Sequence, residues 1–208
     1  MTSINTIQTY YLNSSLESYK PRRLRMDNML KNLNFTNYER FESDINFDKM
    51  GKRIGNILGQ VNLIKHTIRK NIYPFLILED DVEPIYDFPN DISIPNSANV
   101  IYLGSSLFQG RFKKLSLKIF DNDYYRLIGG LTTHAMIIPN EDNARLYLSI
   151  ISEAIDKKIP IDASLAKVSS ELNFLTPKNG PYFSQIDHPK LTNFLWADKL
   201  NRFTKELT

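Results

Sequence analysis

Hydrophobic and polar positions follow two periods along this chain, and the order of those periods predicts its elements. A β-branched and aromatic run at 7–12, closed by the turn-forming Asn13-Ser14-Ser15, predicts a first strand. Apolar residues at helical spacing predict helices over about 21–33 and 49–70, with a strand at 37–42 between them. The apolar faces consist of Leu24, Met26, Met29, Leu30 and Leu33 in the first helix, and of Ile54, Ile57, Leu58, Val61, Ile64 and Ile68 in the second.

The nearly continuous apolar run from Tyr73 to Leu78 predicts a strand that is buried on both faces of a mainly parallel sheet. Three strands that alternate with two helices in the first 80 residues predict right-handed crossovers. The fold class predicted is therefore α/β, a three-layer sandwich around a central mixed, mainly parallel sheet. We expect the turns after the strands, at 13–14, 43–44 and 80–81, to meet at the carboxyl edge, where open α/β sheets bind ligands.

The second half of the chain predicts a less regular arrangement. Its predicted elements are strands at 100–103 and 131–138, a hairpin over about 115–128, and helices at 141–157 and from about 162 to 172. The hairpin indicates that the sheet becomes mixed here. The proline-rich segment from Phe174 to Thr208 is predicted to be mostly irregular, with one short helix at 193–203.

Composition narrows the class of protein. The 208 residues predict a single domain, 1–208, and 42% hydrophobic and 24% charged residues are typical of a globular chain. The lack of cysteine excludes disulfides, thiolate zinc sites and cysteine nucleophiles. The net charge of +3 gives little support to a nucleic-acid partner.

Apolar runs are too short for a transmembrane segment and the first residues lack a secretory profile, so we expect a cytoplasmic protein. The irregular tail leaves open a longer, multidomain chain.

Three consecutive acids, Glu79-Asp80-Asp81, end the predicted buried strand. A hard divalent cation, which takes oxygen ligands, would relieve their mutual repulsion. The alternative is a strand-end turn with solvated acids. The sequence leaves both interpretations open.

Basic residues open both early helices. Arg22 and Arg23 follow the first strand, and Arg53 lies near the start of the second helix. Guanidinium groups bind phosphate in a bidentate manner, and helix N-termini favour it. The alternative is a solvated basic helix face.

The histidines and one later acid are further candidates. His188 lies in a proline-bounded loop and could complete a metal site, whereas His66 on the second helix is expected to be structural and His134 could face core or cleft. Asp162 is expected to cap the helix that it begins, and could also serve as a general base at a cleft edge. Dinucleotide, P-loop, serine-hydrolase and zincin motifs are absent from the sequence.

Taken together, these segments resemble nucleotide-sugar glycosyltransferases of the GT-A fold, and among them glycosyltransferase family 25, the lipopolysaccharide and collagen galactosyltransferase type. The resemblance covers about residues 7 to 165, and its most specific part is the run Phe75-Leu76-Ile77-Leu78-Glu79-Asp80-Asp81-Val82. The shorter matching segments are Tyr10-Tyr11-Leu12-Asn13, Arg22-Arg23 with Met26, Arg53-Ile54-Gly55, Gly129-Gly130 with Ala135-Met136-Ile137-Ile138, and Pro160-Ile161-Asp162. The chain departs from the family in its second helix, where Asn56 replaces a cysteine and a Ser-His pair is missing around Gly59-Gln60. A small domain of this kind also resembles the capsid glycosyltransferases of large algal DNA viruses.

The resemblance implies metal-dependent transfer of a sugar from a nucleoside diphosphate donor, most simply a UDP-sugar, to a glycan or glycoprotein acceptor. The nucleotide-sugar half would be about 1–105 and the acceptor half about 106–208. Asp81, with His188 as second ligand, would hold Mn²⁺ or Mg²⁺, and Asp162 would be the base of an inverting reaction or would bind a donor-sugar hydroxyl in a retaining one. The implied donor-binding residues are Leu12, Asn13, Ser14, Arg22, Arg53, Glu79, Asp80, Gly129 and Gly130.

Three other classes stay open. A sugar-phosphate nucleotidyltransferase would use a Gly-rich loop after the first strand, where this chain has Asn13-Ser14-Ser15-Leu16. A carbohydrate- or nucleotide-binding domain without transfer activity would use the acids for a structural cation. A metal-dependent nuclease would need a basic stripe, for which the net charge gives little support.

Overall fold

Strands and helices follow one another in the predicted order over the first half of the chain. The computed structural model describes residues 1–43, 47–85, 88–106, 116–129, 131–157 and 159–186. The strands in these ranges are β1 (Thr2–Ser3), β2 (Gln8–Asn13), β3 (Tyr38–Glu42), β4 (Phe75–Glu79), β5 (Val82–Pro84), β6 (Asp91–Ile92), β7 (Val100–Ser106), β8 (Ser116–Ile119), β9 (Tyr124–Ile128), β10 (Leu131–Ile138), β11 (Phe174–Pro177) and β12 (Phe183–Gln185). The helices are α1 (Lys20–Asn32), α2 (Phe47–Lys70), α3 (Glu141–Asp156) and α4 (Ile161–Val168).

A large mixed sheet forms the centre of the fold. In the described residues it has eight strands in the order β3-β2-β4-β10-β7-β11-β9-β8. Strands β3, β2 and β4 are parallel, β10 is antiparallel to both β4 and β7, and β11 is parallel to β7. Only β9 and β10 among these strands run against the common direction. The predicted fold class, including a sheet that becomes mixed in its second half, is confirmed.

Helices cover both faces of the sheet, so the predicted three layers are confirmed. On one face Met26, Met29 and Leu30 of α1 pack in a core with Leu76 and Leu78 of β4. On the other face α2, α3 and α4 pack in a second core, against the intervening side chains of β2 and β4. Its members include Tyr10, Leu12, Ile57, Val61, Ile64, Phe75, Ile77, Ile151 and Leu165. Alternate residues of β4 thus enter opposite cores, as a strand buried on both faces requires.

Two helix predictions need correction. Leu24 does not belong to the buried face of α1, since 57% of it is exposed. It lies two residues before Met26, about 200° around a helix from it. The helix predicted from about 162 to 172 ends at Val168. There the Ser169 hydroxyl donates to the Ala166 carbonyl at 2.6 Å, an alternative to continued helical bonding.

The segment after Phe174 was predicted to be mostly irregular, and this prediction is wrong for its first part. Strand β11 lies inside the sheet between β7 and β9, and β12 pairs with β5 in a small separate sheet. Pro177 takes the last position of β11, beyond the two residues that pair with β7. The predicted helix at 193–203 lies outside the described residues.

Helix α2 approaches the end of β3 closely at a glycine. A methyl group added to Gly59 would lie 2.8 Å from Ser43 Cβ, so only glycine permits this packing. The spacing of Gly55 and Gly59 predicted such an approach, although the side chains of 47–56 lie outside the described part. In the described part of the chain, no helix combines the length and the apolar composition that a membrane crossing requires.

Candidate functional site

The strand order reverses between β2 and β4, and the candidate site lies at this point. From β2 the chain passes through α1 to β3 on one side, then through α2 to β4 on the other side. Because α1 and α2 cover opposite faces, a crevice opens at the carboxyl ends of β2 and β4, where ligands bind in such sheets. Asn13 ends β2 and Glu79 ends β4, so the predicted acids lie at this crevice.

Asp80 is held from two elements. Asn13 Nδ2 donates to Asp80 Oδ2 at 2.6 Å, and Arg22 Nη1 donates to Asp80 Oδ1 at 2.8 Å. Arg25 Nη2 donates to the Asp80 backbone carbonyl at 2.7 Å. Asp80 is buried, and its charge-assisted hydrogen bonds are of the stronger kind. The start of α1 and the end of β2 are thereby fixed to the end of β4.

Arg22 lies between two carboxylates. Its Nη1 is 3.9 Å from Asp81 Oδ2 in addition to the contact with Asp80. Its guanidinium carbon lies 5.6 Å from the centre of the Tyr19 ring, within the range of a cation–π contact. With a side chain 34% exposed, Arg22 presents its cation at the crevice, where an anionic ligand could reach it. Arg23, in contrast, pairs at 4.0 Å with the exposed Glu17.

Glu79 points to the other face of the sheet. Thr133 Oγ1 of β10 donates to Glu79 Oε1 at 3.1 Å, and Gln185 Nε2 of β12 donates to Glu79 Oε2 at 3.0 Å. The backbone carbonyl of Asp81 accepts from the Ile186 N–H at 2.8 Å, which fixes the end of β12 to the same turn. The first two acids therefore lie on opposite faces: the Glu79 side chain lies on the face of α2 and α3, and the Asp80 side chain lies on the face of α1.

The residues around Asn13 differ in the hydrogen-bonding groups that they present to a ligand. Asn13 Oδ1 is buried and has no hydrogen-bond partner in the described residues. The Ser14 hydroxyl accepts from the Leu16 N–H at 3.2 Å. Leu12 lies in the ladder between β3 and β4, with its side chain in the core. Asn13 Oδ1 is thus the acceptor in this group that a ligand or cation would satisfy.

Oxygen donors at the crevice fit a hard divalent cation in chemical type. The carboxylates of Asp80 and Asp81 and the orphaned Asn13 Oδ1 are ligands of the kind that Mg²⁺ and Mn²⁺ take. The described residues bring no three His, Cys, Asp or Glu side chains together as a metal site, and His188 lies outside them. Within the described residues, a cation at Asp81 would therefore need further ligands from water or from a bound phosphate, which is common for Mg²⁺.

Asp162 lies on the same face as Glu79. Helix α4 begins at Ile161 with Pro160 as N-cap, so the prediction that Asp162 caps this helix is wrong. Its carboxylate accepts from the Ala163 N–H at 2.9 Å in the first turn, where a helix favours negative charge. Burial and, to a lesser extent, the charge of Asp162 raise the pKa of Tyr102, a core residue of that face.

The other predicted site residues that the structure describes do not join this cluster. The Gly129 N–H donates to Ser169 Oγ at 2.8 Å. His66 contacts the rings of Tyr10 and Phe41, as expected of a structural residue. His134 is fully buried on strand β10 and faces the core. Gly130 and the Arg53 side chain lie outside the described part of the chain.

Sequence reasoning missed the partners of Glu79. Gln60, which donates to Thr133, lies three residues after Ile57 and four before Ile64, so it occupies the apolar stripe of α2. A buried polar residue needs a hydrogen-bond partner, so a glutamine in the apolar stripe could have indicated a buried polar contact on this face. Thr133 and Gln185 gave no such signal.

Comparisons with known proteins show only distant structural similarity. No family model and no curated protein matches the sequence. A CTP:phosphocholine cytidylyltransferase from Streptococcus pneumoniae aligns over 95% of this chain and 99% of its own, with 11% identity and a TM-score of 0.47. A glycosyltransferase involved in the glycosylation of the major capsid of PBCV-1 aligns over 83% of this chain and 94% of its own, with 10% identity and a TM-score of 0.41. Neither similarity assigns an activity, and the resemblance to family 25 stays a prediction.

Proposed function

We propose that this chain is a glycosyltransferase that moves a sugar from a nucleoside diphosphate donor, most simply a UDP-sugar, to a glycan or protein-linked glycan. The observation that carries the proposal is the cluster of Asn13, Arg22 and Asp80 at the point where the strand order reverses. A cation beside carboxylates at this edge offers a partner for phosphate and acceptors for sugar hydroxyls in one crevice.

Each crevice residue has a role in this proposal. Arg22 would turn from Asp80 toward the diphosphate, since a guanidinium binds phosphate oxygens in the same forked geometry as carboxylate oxygens. Glu79 and Asp80 would accept hydrogen bonds from ribose and sugar hydroxyls. Asn13 Oδ1 would accept an N–H from the nucleobase, which would satisfy a buried acceptor that otherwise costs about 1–3 kcal/mol. Ser14 would complete the nucleoside contacts, whereas Leu12, paired with strands on both sides, would support Asn13 from within the sheet.

A divalent cation is part of the proposal. Asp81 would hold Mn²⁺ or Mg²⁺, with His188 as a second ligand, and the metal would supply charge neutralisation for the departing diphosphate. Arg22 would share in the neutralisation, and Asp80 would keep Asn13 oriented through the hydrogen bond from Asn13 Nδ2.

The acceptor side is assigned to Asp162. In an inverting reaction its carboxylate would take the proton of the acceptor hydroxyl as the new glycosidic bond forms. In a retaining reaction it would bind a hydroxyl of the donor sugar.

Calorimetric titration with a panel of nucleotide sugars, each with and without Mn²⁺, tests this function. We expect metal-dependent binding of a UDP-sugar by the wild-type protein and its loss in Asp81→Ala. Absence of binding by every nucleotide would refute the proposal and favour a binding domain for other ligands. Pyrophosphate release from a nucleoside triphosphate and a sugar phosphate would identify a nucleotidyltransferase instead.

A further inference from the structure

A line of buried polar side chains leads from α3 through α2 and β10 to the Glu79 carboxylate. Tyr147 Oη donates to Gln60 Oε1 at 2.6 Å, Gln60 Nε2 donates to Thr133 Oγ1 at 3.3 Å, and Thr133 Oγ1 donates to Glu79 Oε1 at 3.1 Å. Tyr147, Gln60 and Thr133 are each at most 4% exposed. We name these four residues the Tyr147–Glu79 chain.

Every hydrogen bond in the Tyr147–Glu79 chain points in one direction. An ionised carboxylate only accepts, so the Thr133 hydroxyl must donate to Glu79 and accept from Gln60. Gln60 can present its NH₂ group to Thr133 only while its carbonyl oxygen faces Tyr147. If the Gln60 amide turned over, its oxygen would compete with Glu79 for the Thr133 proton. The Tyr147 hydroxyl selects the orientation in which Glu79 keeps this donor.

The electrostatics of Tyr147 agree with this direction. Burial raises its pKa well above the ordinary value, and the neighbouring Tyr102 and the negative charge of Glu79 raise it further. The hydroxyl therefore stays protonated and remains a donor. Its other close polar neighbour, Met136 Sδ at 3.8 Å, is a weak acceptor and competes little for the proton.

We propose that Tyr147 and Gln60 are positioning residues that act through Thr133 to hold the Glu79 carboxylate in place for the sugar donor. The inference rests on the proposed function, because it takes the partner of Glu79 to be a donor hydroxyl. Gln185 holds the second oxygen of Glu79, so loss of the chain should loosen the carboxylate rather than release it.

The experiment compares two buried tyrosines. Tyr147 and Tyr124 are each 1% exposed, and the Tyr124 hydroxyl donates to the Ser93 carbonyl, away from Glu79. Tyr147→Phe and Tyr124→Phe therefore each remove one donating hydroxyl from a tyrosine that is buried to the same extent. We expect Tyr147→Phe alone to shift the carboxyl ¹³C resonance of Glu79 and to weaken binding of the tightest UDP-sugar of the panel about fivefold, the effect of one hydrogen bond. Melting temperatures measure the cost to folding in both variants.

A second pair of variants tests the hydroxyl next to Glu79. Thr133→Val removes it and should reproduce both effects, whereas Thr133→Ser keeps it and should restore the resonance and the affinity. An unchanged Glu79 resonance in Tyr147→Phe, or equal changes in Tyr124→Phe, would overturn the inference. If the wild-type protein bound no nucleotide sugar, the proposed function would fail, while the Glu79 resonance would still decide whether the chain positions the carboxylate.

Discussion

Mild acid should destabilise this protein through one buried histidine. His134 is fully buried on β10, where its Nε2 lies 3.3 Å from the Phe183 carbonyl oxygen. Its Nδ1 is buried and has no hydrogen-bond partner in the described residues. Burial lowers the pKa of His134 from 6.5 to about 4, and the Phe183 carbonyl opposes this only in part. The folded protein therefore favours the neutral form of the His134 imidazole.

The size of the effect follows from the two pKa values. The unfolded chain binds a proton at His134 near pH 6.5, whereas the folded protein does not until about pH 4. The stability that the neutral ring provides is therefore complete above pH 6.5 and declines as the pH falls toward 4. At pH 4.5 the loss from this residue alone should be about 2.5 kcal/mol.

Urea denaturation between pH 7.5 and 4.5 measures this loss. Other groups also titrate in this range, so the wild-type protein is compared with His134→Gln, which keeps a donor for the Phe183 carbonyl but does not titrate. The wild-type protein should lose about 2.5 kcal/mol more than His134→Gln over this range. Equal losses in the wild-type protein and His134→Gln would refute the reasoning.

Three further predictions concern packing and the crevice. Gly104→Ala should lower the free energy of unfolding by about 1–3 kcal/mol in urea titrations, because the new methyl group would overlap His134 Nε2. Arg22→Gln should weaken UDP-sugar binding about tenfold by calorimetry, whereas Arg23→Gln, which loses a pair with the exposed Glu17, should change it less than about twofold. Asp162→Asn should leave donor affinity nearly unchanged and reduce transfer about 10²–10⁴-fold in a sugar-release assay; full transfer would exclude Asp162 as the base.

The first half of the fold could be predicted because each of its elements carries its own periodic signal. The run from Tyr73 to Leu78 is nearly continuous in apolar residues, and the structure buries its strand part, Phe75 to Leu78, between two helical layers. Strand β11 carries no such signal, since it has four residues and ends in Pro177. It is stabilised by β7 and β9, which lie far away in the sequence, and a local pattern cannot report such pairing.

The contacts of the candidate site are likewise of two kinds: some follow from the order of the elements, and others join residues that are far apart in the sequence. Parallel strands bring their carboxyl ends to one edge, so the meeting of Asn13 with Asp80 could be expected from the order of the elements. The partners of Glu79 could not, because Thr133 is 54 residues and Gln185 106 residues away. Their contacts depend on the register of β10 against β4 and on the pairing of β12 with β5.

The period of a strand explains why one acidic run serves two layers of the fold. The side chains of successive residues in an extended chain point to opposite faces. Because β4 is extended up to Glu79, its last residue, the side chains of Glu79 and Asp80 point to opposite faces of the sheet. Glu79 then meets polar groups that β10 and β12 provide, and Asp80 meets the cations of α1. A single-residue shift of register would exchange the two faces and place each carboxylate against the wrong partners. The apolar run before the acids therefore determines their chemistry, because burial on both faces fixes the register.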